Sequence, residues 1–375
     1  MTFSAAGLAR SSFGIAPLLL AFHLAALTDA AHAAPAARAD SAPDVVTYGR
    51  REDLLAFVQQ AAERQGFDAD WAIEQLSQAR YQPSVARLVM PPPTGTAKNW
   101  EAYRNRFVEP QRIREGLRWW QANERWLNEA EARWGVPPDM VVAIVGVETF
   151  YGRIMGGFKV IDALATLSFD FPTGRSDRSG FYRNELESFL GWCAAEQRDP
   201  LAIKGSYAGA MGLPQFMPST LQKYAIDFDG DGHIDLDANG ADVVGSVAHY
   251  FAQFGWQRDM PTHFAVTPPA ELRDRALMLA PDIVPSFSAE QFAERGARLD
   301  EAGRAHEGPM ALVMLQNGDA EPSYVAGTRN FYVVTRYNWS SYYAMAVIEL
   351  ARALRQMRPA AASAAPAEPT PTQAR

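Results

Sequence analysis

The chain has 375 residues, 48% of them hydrophobic and 21% charged, with a formal net charge of −8. That length and apolar fraction support a large core divided among two or three subdomains. The negative balance excludes an electrostatic case for nucleic acid or anionic lipid, and the single cysteine, Cys193, excludes an intrachain disulfide, so the fold rests on its core.

Residues 1–33 read as a secretory signal. Arg10 supplies positive charge, residues 15–27 are mostly apolar with Pro17 and His23 interrupting, and Ala31-His32-Ala33 has the small-x-small cleavage pattern. A membrane-spanning anchor is the competing reading, but the apolar stretch is short for a span. No cysteine follows it, so neither lipid attachment nor a stable membrane anchor is expected. Residues 34–48 read as a linker rich in Ala, Pro and Ser.

Leu54, Leu55, Val58, Ala61 and Ala62 predict a helix over 51–65 that stops at Gly66. Short helices are predicted over 71–79 and 85–90, before Pro91-Pro92-Pro93 breaks the chain. Trp100, Tyr103 and Phe107 recur at helical spacing, as a core stripe or the wall of a cleft. Residues 111–134 read as one long helix ended by Gly135. Residues 49–134 therefore form a helical subdomain.

Pro137 and Pro138 stand where a helix can begin, and Asp139 places a negative charge at the positive end of its dipole. Met140 to Val147 is apolar on every side, which predicts a helix buried all round, with Gly152 as its left-handed terminator. One carboxylate, Glu148, stands in this run. Ile144, Val145, Tyr151 and Gly152 occupy the positions one turn away, so no cation pairs with it. Apolar surroundings and the negative helix end both disfavour its charged form. A carboxylic acid held protonated near neutral pH is suited to general-acid work. The bland alternative is a Glu that reaches solvent from the last turn.

Leu164-Ala165-Thr166-Leu167-Ser168-Phe169-Asp170-Phe171-Pro172 follows, then a polar loop over 173–179 and a helix over 182–197, on which Cys193 is a packing residue. Residues 204–219 are Gly-rich and too irregular for helix or strand. Such loops bring backbone close to a ligand, or merely connect. Asp227-Phe228-Asp229-Gly230-Asp231-Gly232-His233 has the alternating carboxylates and sixth-position Gly of a calcium loop. The twelfth position is Ala238 rather than Glu, so Asp235, Asp237 or Asp242 must close the site. A helix over 243–254 ends at Gly255. Residues 261–330 turn Pro-rich and strand-like: 311–316 and 324–326 flank Asn317-Gly318, a hairpin signal. Residues 330–337 are a further strand candidate, 342–354 a closing helix, and 358–375 a disordered tail.

No H-E-x-x-H, Cys/His cluster, G-x-S-x-G or G-x-G-x-x-G is present, and His233, His249, His263 and His306 are scattered. Zinc and serine hydrolysis lack support. One buried carboxylate, a Gly-rich wall and many aromatics suit a glycan cleft.

These residues resemble the lytic murein transglycosylase B family over roughly residues 50–356. The resemblance is carried by Gly146-Val147-Glu148-Thr149, the 164–172 motif, the 205–219 loop, the Asp227 loop, Thr335-Arg336-Tyr337-Asn338 and Tyr343-Ala344-Met345-Ala346-Val347. It implies a mainly α (α+β) fold: a lysozyme-like helical core over 135–260, completed by 331–357, with the N-terminal helical subdomain and a small inserted antiparallel β subdomain over 261–330. It implies a monomeric periplasmic enzyme acting on peptidoglycan glycan strands, with other cell-wall enzymes as candidate partners. Glu148 would serve as both acid and base, breaking the bond between N-acetylmuramic acid and N-acetylglucosamine without water and leaving a 1,6-anhydromuramyl end. One carboxylate suffices there, where ordinary glycosidases use two. By the same resemblance Ser206 and Gln215 hydrogen-bond the sugars, Tyr103, Tyr250, Tyr337 and Asn338 line the cleft, and Asp227, Asp229, Asp231, the His233 carbonyl and Asp242 hold a structural Ca²⁺. The loop is one residue longer than the family's before Asp242, and 173–179 departs from the family's tandem-Arg pattern, which leaves Arg175 and Arg178 unassigned. A hydrolytic muramidase on the same core would need a second carboxylate, Asp162 or Asp170. A non-catalytic glycan binder would have no use for a buried unpaired acid.

Overall fold

The computed structural model describes residues 46–91 and 98–358. The predicted secretory signal, the linker up to residue 45, Pro92-Pro93 and the tail from Pro359 lie outside the described residues. The first section is helical: α1 (Glu52–Gln65), α2 (Ala69–Ser77), α3 (Pro83–Leu88) and α4 (Trp100–Asn105). α1 buries Leu54, Phe57, Val58, Ala61 and Ala62 and ends at Gly66 in the left-handed region. Asp68 and Asn99 start α2 and α4 by accepting from the Trp71 and Ala102 N–H groups.

The predicted helix over 111–134 is two helices, α5 (Pro110–Ala122) and α6 (Glu124–Trp134), parted at Asn123 (φ −114°, ψ 16°). The Asn123 side-chain amide donates to Trp119 O at 2.8 Å, the local bond by which Asn competes with helix continuation. α7 (Pro138–Thr149) follows, with every residue buried as its composition predicts. It ends three residues before Gly152. Phe150 is its left-handed cap, and Tyr151 and Gly152 share that conformation. The cap N–H groups are taken by the Gly146 and Val145 carbonyls, so the helix is closed at Phe150 and Tyr151, before the chain reaches Gly152.

Next come β1 (Phe158–Lys159), α8 (Val160–Phe169), α9 (Ser179–Ala195), β2 (Lys204–Gly205), α10 (Pro218–Tyr224) and α11 (Gly240–Gln253). β1 and β2 pair antiparallel, so the Gly-rich segment is less irregular than its composition suggests: it opens with a two-residue strand and closes into a helix. A Cβ on Gly156 would lie 2.1 Å from Gly205 O, and only glycine permits that approach. Cys193 is buried in α9.

The inserted section holds β3 (His263–Thr267), α12 (Leu272–Leu279), α13 (Ala289–Glu294), β4 (Arg298–Leu299), α14 (Glu301–Arg304), β5 (Ala311–Asn317) and β6 (Ala320–Gly327). Its four strands are antiparallel in the order β4-β3-β6-β5. The sheet has its own small core around Phe264, Met278, Phe292, Met310 and Leu312. Asn317 pairs with Ala320, which moves the hairpin turn one residue on, to Gly318-Asp319.

The last two elements are α15 (Arg329–Tyr337) and α16 (Ser341–Met357). α15 corrects the strand expected over 330–337. Thr328 caps it by accepting from Asn330 N–H, and Asn330 is locked to Gln257 and Met260 backbone. The β-branched run Val333-Val334-Thr335 suggested a strand, but tertiary packing against α16 and the cap override that preference. α5, α6, α11 and α16 surround α7, which places Glu148 at the centre of the molecule.

Candidate active site

Glu148 is 7% exposed, in the last turn of α7. Burial pushes its carboxyl up to about 7, opposed by a hydrogen bond that the Tyr343 hydroxyl donates to Oε1 at 2.5 Å. No cation pairs with it among the described residues. Sequence reasoning named Tyr343 only within a motif. Nothing in the chain order tells that the first turn of α16 meets the last turn of α7.

The next residue ties the helix to the Gly-rich loop. Thr149 Oγ1 donates to Leu213 O at 3.0 Å and accepts from Gly152 N at 3.1 Å. The loop carries Gln215 in a left-handed conformation (φ 50°), an uncommon state for a residue with a side chain and one concentrated at functional sites. Both side-chain amide contacts of Gln215 are donated, to Met155 O at 3.2 Å and Gly212 O at 3.0 Å, which leaves Oε1 as the atom it can offer. Ser206 Oγ accepts from Ala210 N at 3.0 Å and so shapes the loop.

Glu148, Gln215, Tyr250, Tyr337 and Asn338 all line one cavity of about 520 Å³. Tyr250 and Tyr337 meet edge to face at 5.0 Å, and Tyr337 stacks on Tyr343 at 6.4 Å. Their hydroxyls donate to Arg336 O and Pro214 O, both at 2.7 Å, so toward the cavity they present ring surface. Ser206 and Tyr103 are not among the lining residues. Tyr103 is nonetheless a neighbour: burial first, and then the Glu148 charge, push its hydroxyl up to about 12.

Sequence reasoning named Arg336 only within a motif and missed Phe181, Glu185, Lys223 and Trp339 on the same walls. Glu185 is a second carboxylate in the cavity, anchored by Ser219 N at 2.9 Å and Ser219 Oγ at 2.7 Å. Asp162 and Asp170, the sequence candidates for that role, are elsewhere. Asp162 accepts from Arg80 N and Gln82 Nε2, and Asp170 pairs with Arg51 at the surface. Arg178 lines the cavity with its guanidinium 4.6 Å from the Phe181 ring centre, while Arg175 is bonded to Val89 O.

The acidic loop gathers Asp227, Asp229 and Asp242, with one oxygen of each within 4.8 Å of the others. Of the three candidates to close the loop, Asp242 is the one that joins this group. It is fully buried in the first turn of α11 and accepts from Phe228 N and Asp235 N, each at 2.8 Å. Asp235 instead accepts from Asp237 N and Ala238 N. The Asp231 carboxylate accepts from His233 N, and His233 is exposed. Three carboxylates converging within this distance make an all-oxygen set that fits a hard cation such as Ca²⁺.

Residues 49–352 match the family model described as "Transglycosylase SLT domain". The chain is 40% identical over 320 residues to the membrane-bound lytic murein transglycosylase B of Escherichia coli (strain K12), covering 83% of this chain and 85% of that protein. The solved structure of the soluble lytic transglycosylase SltB1 from Pseudomonas aeruginosa aligns with a TM-score of 0.73 at 36% identity, over 81% of this chain and 98% of that one. The Escherichia coli lytic transglycosylase Slt35 in complex with calcium aligns with a TM-score of 0.71 at 38% identity, over 83% and 96%.

Proposed function

The chain belongs to the SLT-domain transglycosylase family, and from that premise we propose that Glu148 is the acid and base of a peptidoglycan lytic transglycosylase. The observation that carries this reading is the Glu148 carboxyl, buried without a cationic partner and pushed up to about 7, at the wall of an aromatic cavity whose other carboxylate, Glu185, is held by Ser219. At neutral pH such a group is still substantially protonated and can give that proton away. Glu148 gives it to the bridging oxygen as the muramyl C1–O bond breaks. The carboxylate left behind takes the proton of the muramyl C6 hydroxyl, whose oxygen bonds to C1. The proton balance closes on Glu148 and no water is consumed, so the product is a 1,6-anhydromuramyl end.

Tyr343 holds Glu148 in place through its hydrogen bond, and Gln215 Oε1 accepts from the sugar. Tyr250 and Tyr337 offer ring faces to the apolar faces of the sugars. Ser206 keeps the loop that carries Gln215 in shape, Asn338 lines the cleft, and Tyr103 is a buried neighbour of Glu148. Asp227, Asp229 and Asp242, with Asp231 and the His233 carbonyl, would hold Ca²⁺. Bound there, the ion would supply no chemistry; Asp242 would tie it to the start of α11, the helix that also carries Tyr250. The secretory signal read in residues 1–33 supports a periplasmic location for the enzyme. Among the described residues no helix is long and apolar enough to cross a membrane.

Mass spectrometry of muropeptides released from purified peptidoglycan tests the reaction. The mature chain should yield anhydromuropeptides, and Glu148→Gln should lower the rate by roughly 10³-fold or more, the scale of losing a general acid and base. Reducing-end products carrying an added water would instead make the protein a hydrolase, with Glu185 as the base to substitute next.

A further inference from the structure

Adjacent tyrosines at the start of α16 serve different cavities. Tyr343 donates to Glu148. Tyr342 lines a second, separate cavity of about 180 Å³, walled also by Lys98, Asp282, Met314, Gln316 and Ser341. These residues come from the segment before α4, the turn after α12, strand β5 and helix α16, so three parts of the molecule converge there.

The cavity is rigidly joined to the catalytic one. The Tyr342 hydroxyl accepts from Gln316 N at 2.7 Å and donates to Gln316 O at 3.3 Å, which clamps α16 to β5 through backbone atoms. The Tyr342 ring meets Tyr103 edge to face at 5.9 Å, and Tyr103 is one of four tyrosines, with Tyr250, Tyr337 and Tyr343, that the Glu148 charge reaches. Tyr342 thus touches Tyr103 on one side while its chain neighbour Tyr343 bonds to Glu148, which links the second cavity to the Glu148 site through the start of α16.

Its chemistry is that of a sugar site. An aromatic ring, a side-chain amide, a carboxylate, an ammonium and a hydroxyl share the walls with Leu279, Leu312 and Val313 around a space of about one pyranose, a mixture of apolar surface and few polar groups that orients small ligands. The Asp282 and Gln316 side chains make no hydrogen bond or ion pair with described residues, and Lys98 Nζ stands 5.7 Å from the Tyr342 ring centre. Asp282 also holds a left-handed backbone (φ 55°), a conformation that costs free energy and gathers at binding sites. We propose that this cavity is an outer subsite, taking a further amino sugar of the glycan strand beyond Tyr103, so that the inserted β section takes part in substrate binding. The proposal rests on reading Glu148 as the centre of a glycan-cleaving site.

The test is the paired substitution Lys98→Ala with Gln316→Ala. Both side chains are exposed, and the Tyr342 clamp uses only Gln316 backbone, so the fold is retained. Steady-state release of anhydromuropeptides is compared on long glycan strands and on short oligosaccharides that fill only the Glu148 cavity. KM for long strands should rise roughly tenfold, the size of one or two lost hydrogen bonds, with kcat and the short substrate unchanged. No change on long strands, or the same change on both lengths, overturns the subsite. Affinity of Glu148→Gln for the same strands, with and without the paired substitution, reads the subsite without turnover. A wild type that makes no anhydromuropeptides thus counts against the catalytic reading alone.

Discussion

The behaviour of Glu148 with pH follows from its burial. The unfolded chain releases this proton near the ordinary 4.5, and the folded chain holds it up to about 7. Between those values the folded state binds the extra proton, so stability falls as pH rises through the window and the full cost persists above it. Two and a half units correspond to roughly 3 kcal/mol. Glu148→Gln keeps the Tyr343 hydrogen bond but has no charge to desolvate. It should match the wild type near about pH 4 and exceed it by roughly 3 kcal/mol near about pH 8, in urea unfolding at the two values. An equal difference at both would mean that the carboxyl is not desolvated. This residue was legible in the sequence because an all-apolar helix with one acid announces both burial and absence of a partner. Tyr343 was not, because its contact with Glu148 spans 195 residues.

At the scale of elements, α7 works as a fixed mount. Its C-terminal turn holds Phe150 and Tyr151 in left-handed conformations. The Tyr151 ring is wedged between α5 and α7. A Cβ added at Gly146 would lie 2.5 Å from Tyr151 Oη and 3.1 Å from Leu350 Cδ2. Gly146→Ala must therefore move Tyr151 or part α7 from α16. It should destabilise the protein by about 1–3 kcal/mol, as overpacking does, and lower kcat more than KM by shifting Glu148 against Tyr343. Thermal unfolding and kinetics on the same sample check both, and an unchanged Tm would show that Tyr151 has room to retreat. The elements misread from sequence have different causes. Residues 330–337 were decided by partners distant in the chain, Gln257 and Met260, whereas the break at Asn123 rests on its local bond to Trp119 O.

Across the whole molecule, the acidic loop, α11 and the aromatic wall form one connected path. Asp242 opens α11 and Tyr250 lies two turns on, against Tyr337. Binding Ca²⁺ to the folded state alone stabilises by mass action. Removing it with a chelator should lower Tm by roughly 5 °C or more, given the size of the chain, and slow anhydromuropeptide release. Calorimetry with added Ca²⁺ and with chelator reads this directly, and identical transitions would remove the ion from the account.

The sequence by itself determined what local rules can encode. The 3.6-residue periodicity, the caps and the Asn-Gly signal gave most helices and the β5–β6 hairpin, and the run around Glu148 gave the catalytic candidate. The spacing of Asp227, Asp229 and Asp231 gave the candidate metal loop. Only the tertiary structure decided which polar groups face one another. It set Tyr343 on Glu148, chose Asp242 over Asp235 and Asp237, brought Glu185 and Arg336 to the cavity, and left Asp162 and Asp170 outside it. Those choices depend on how buried faces pack across long stretches of chain, and short-range sequence patterns carry no record of that packing.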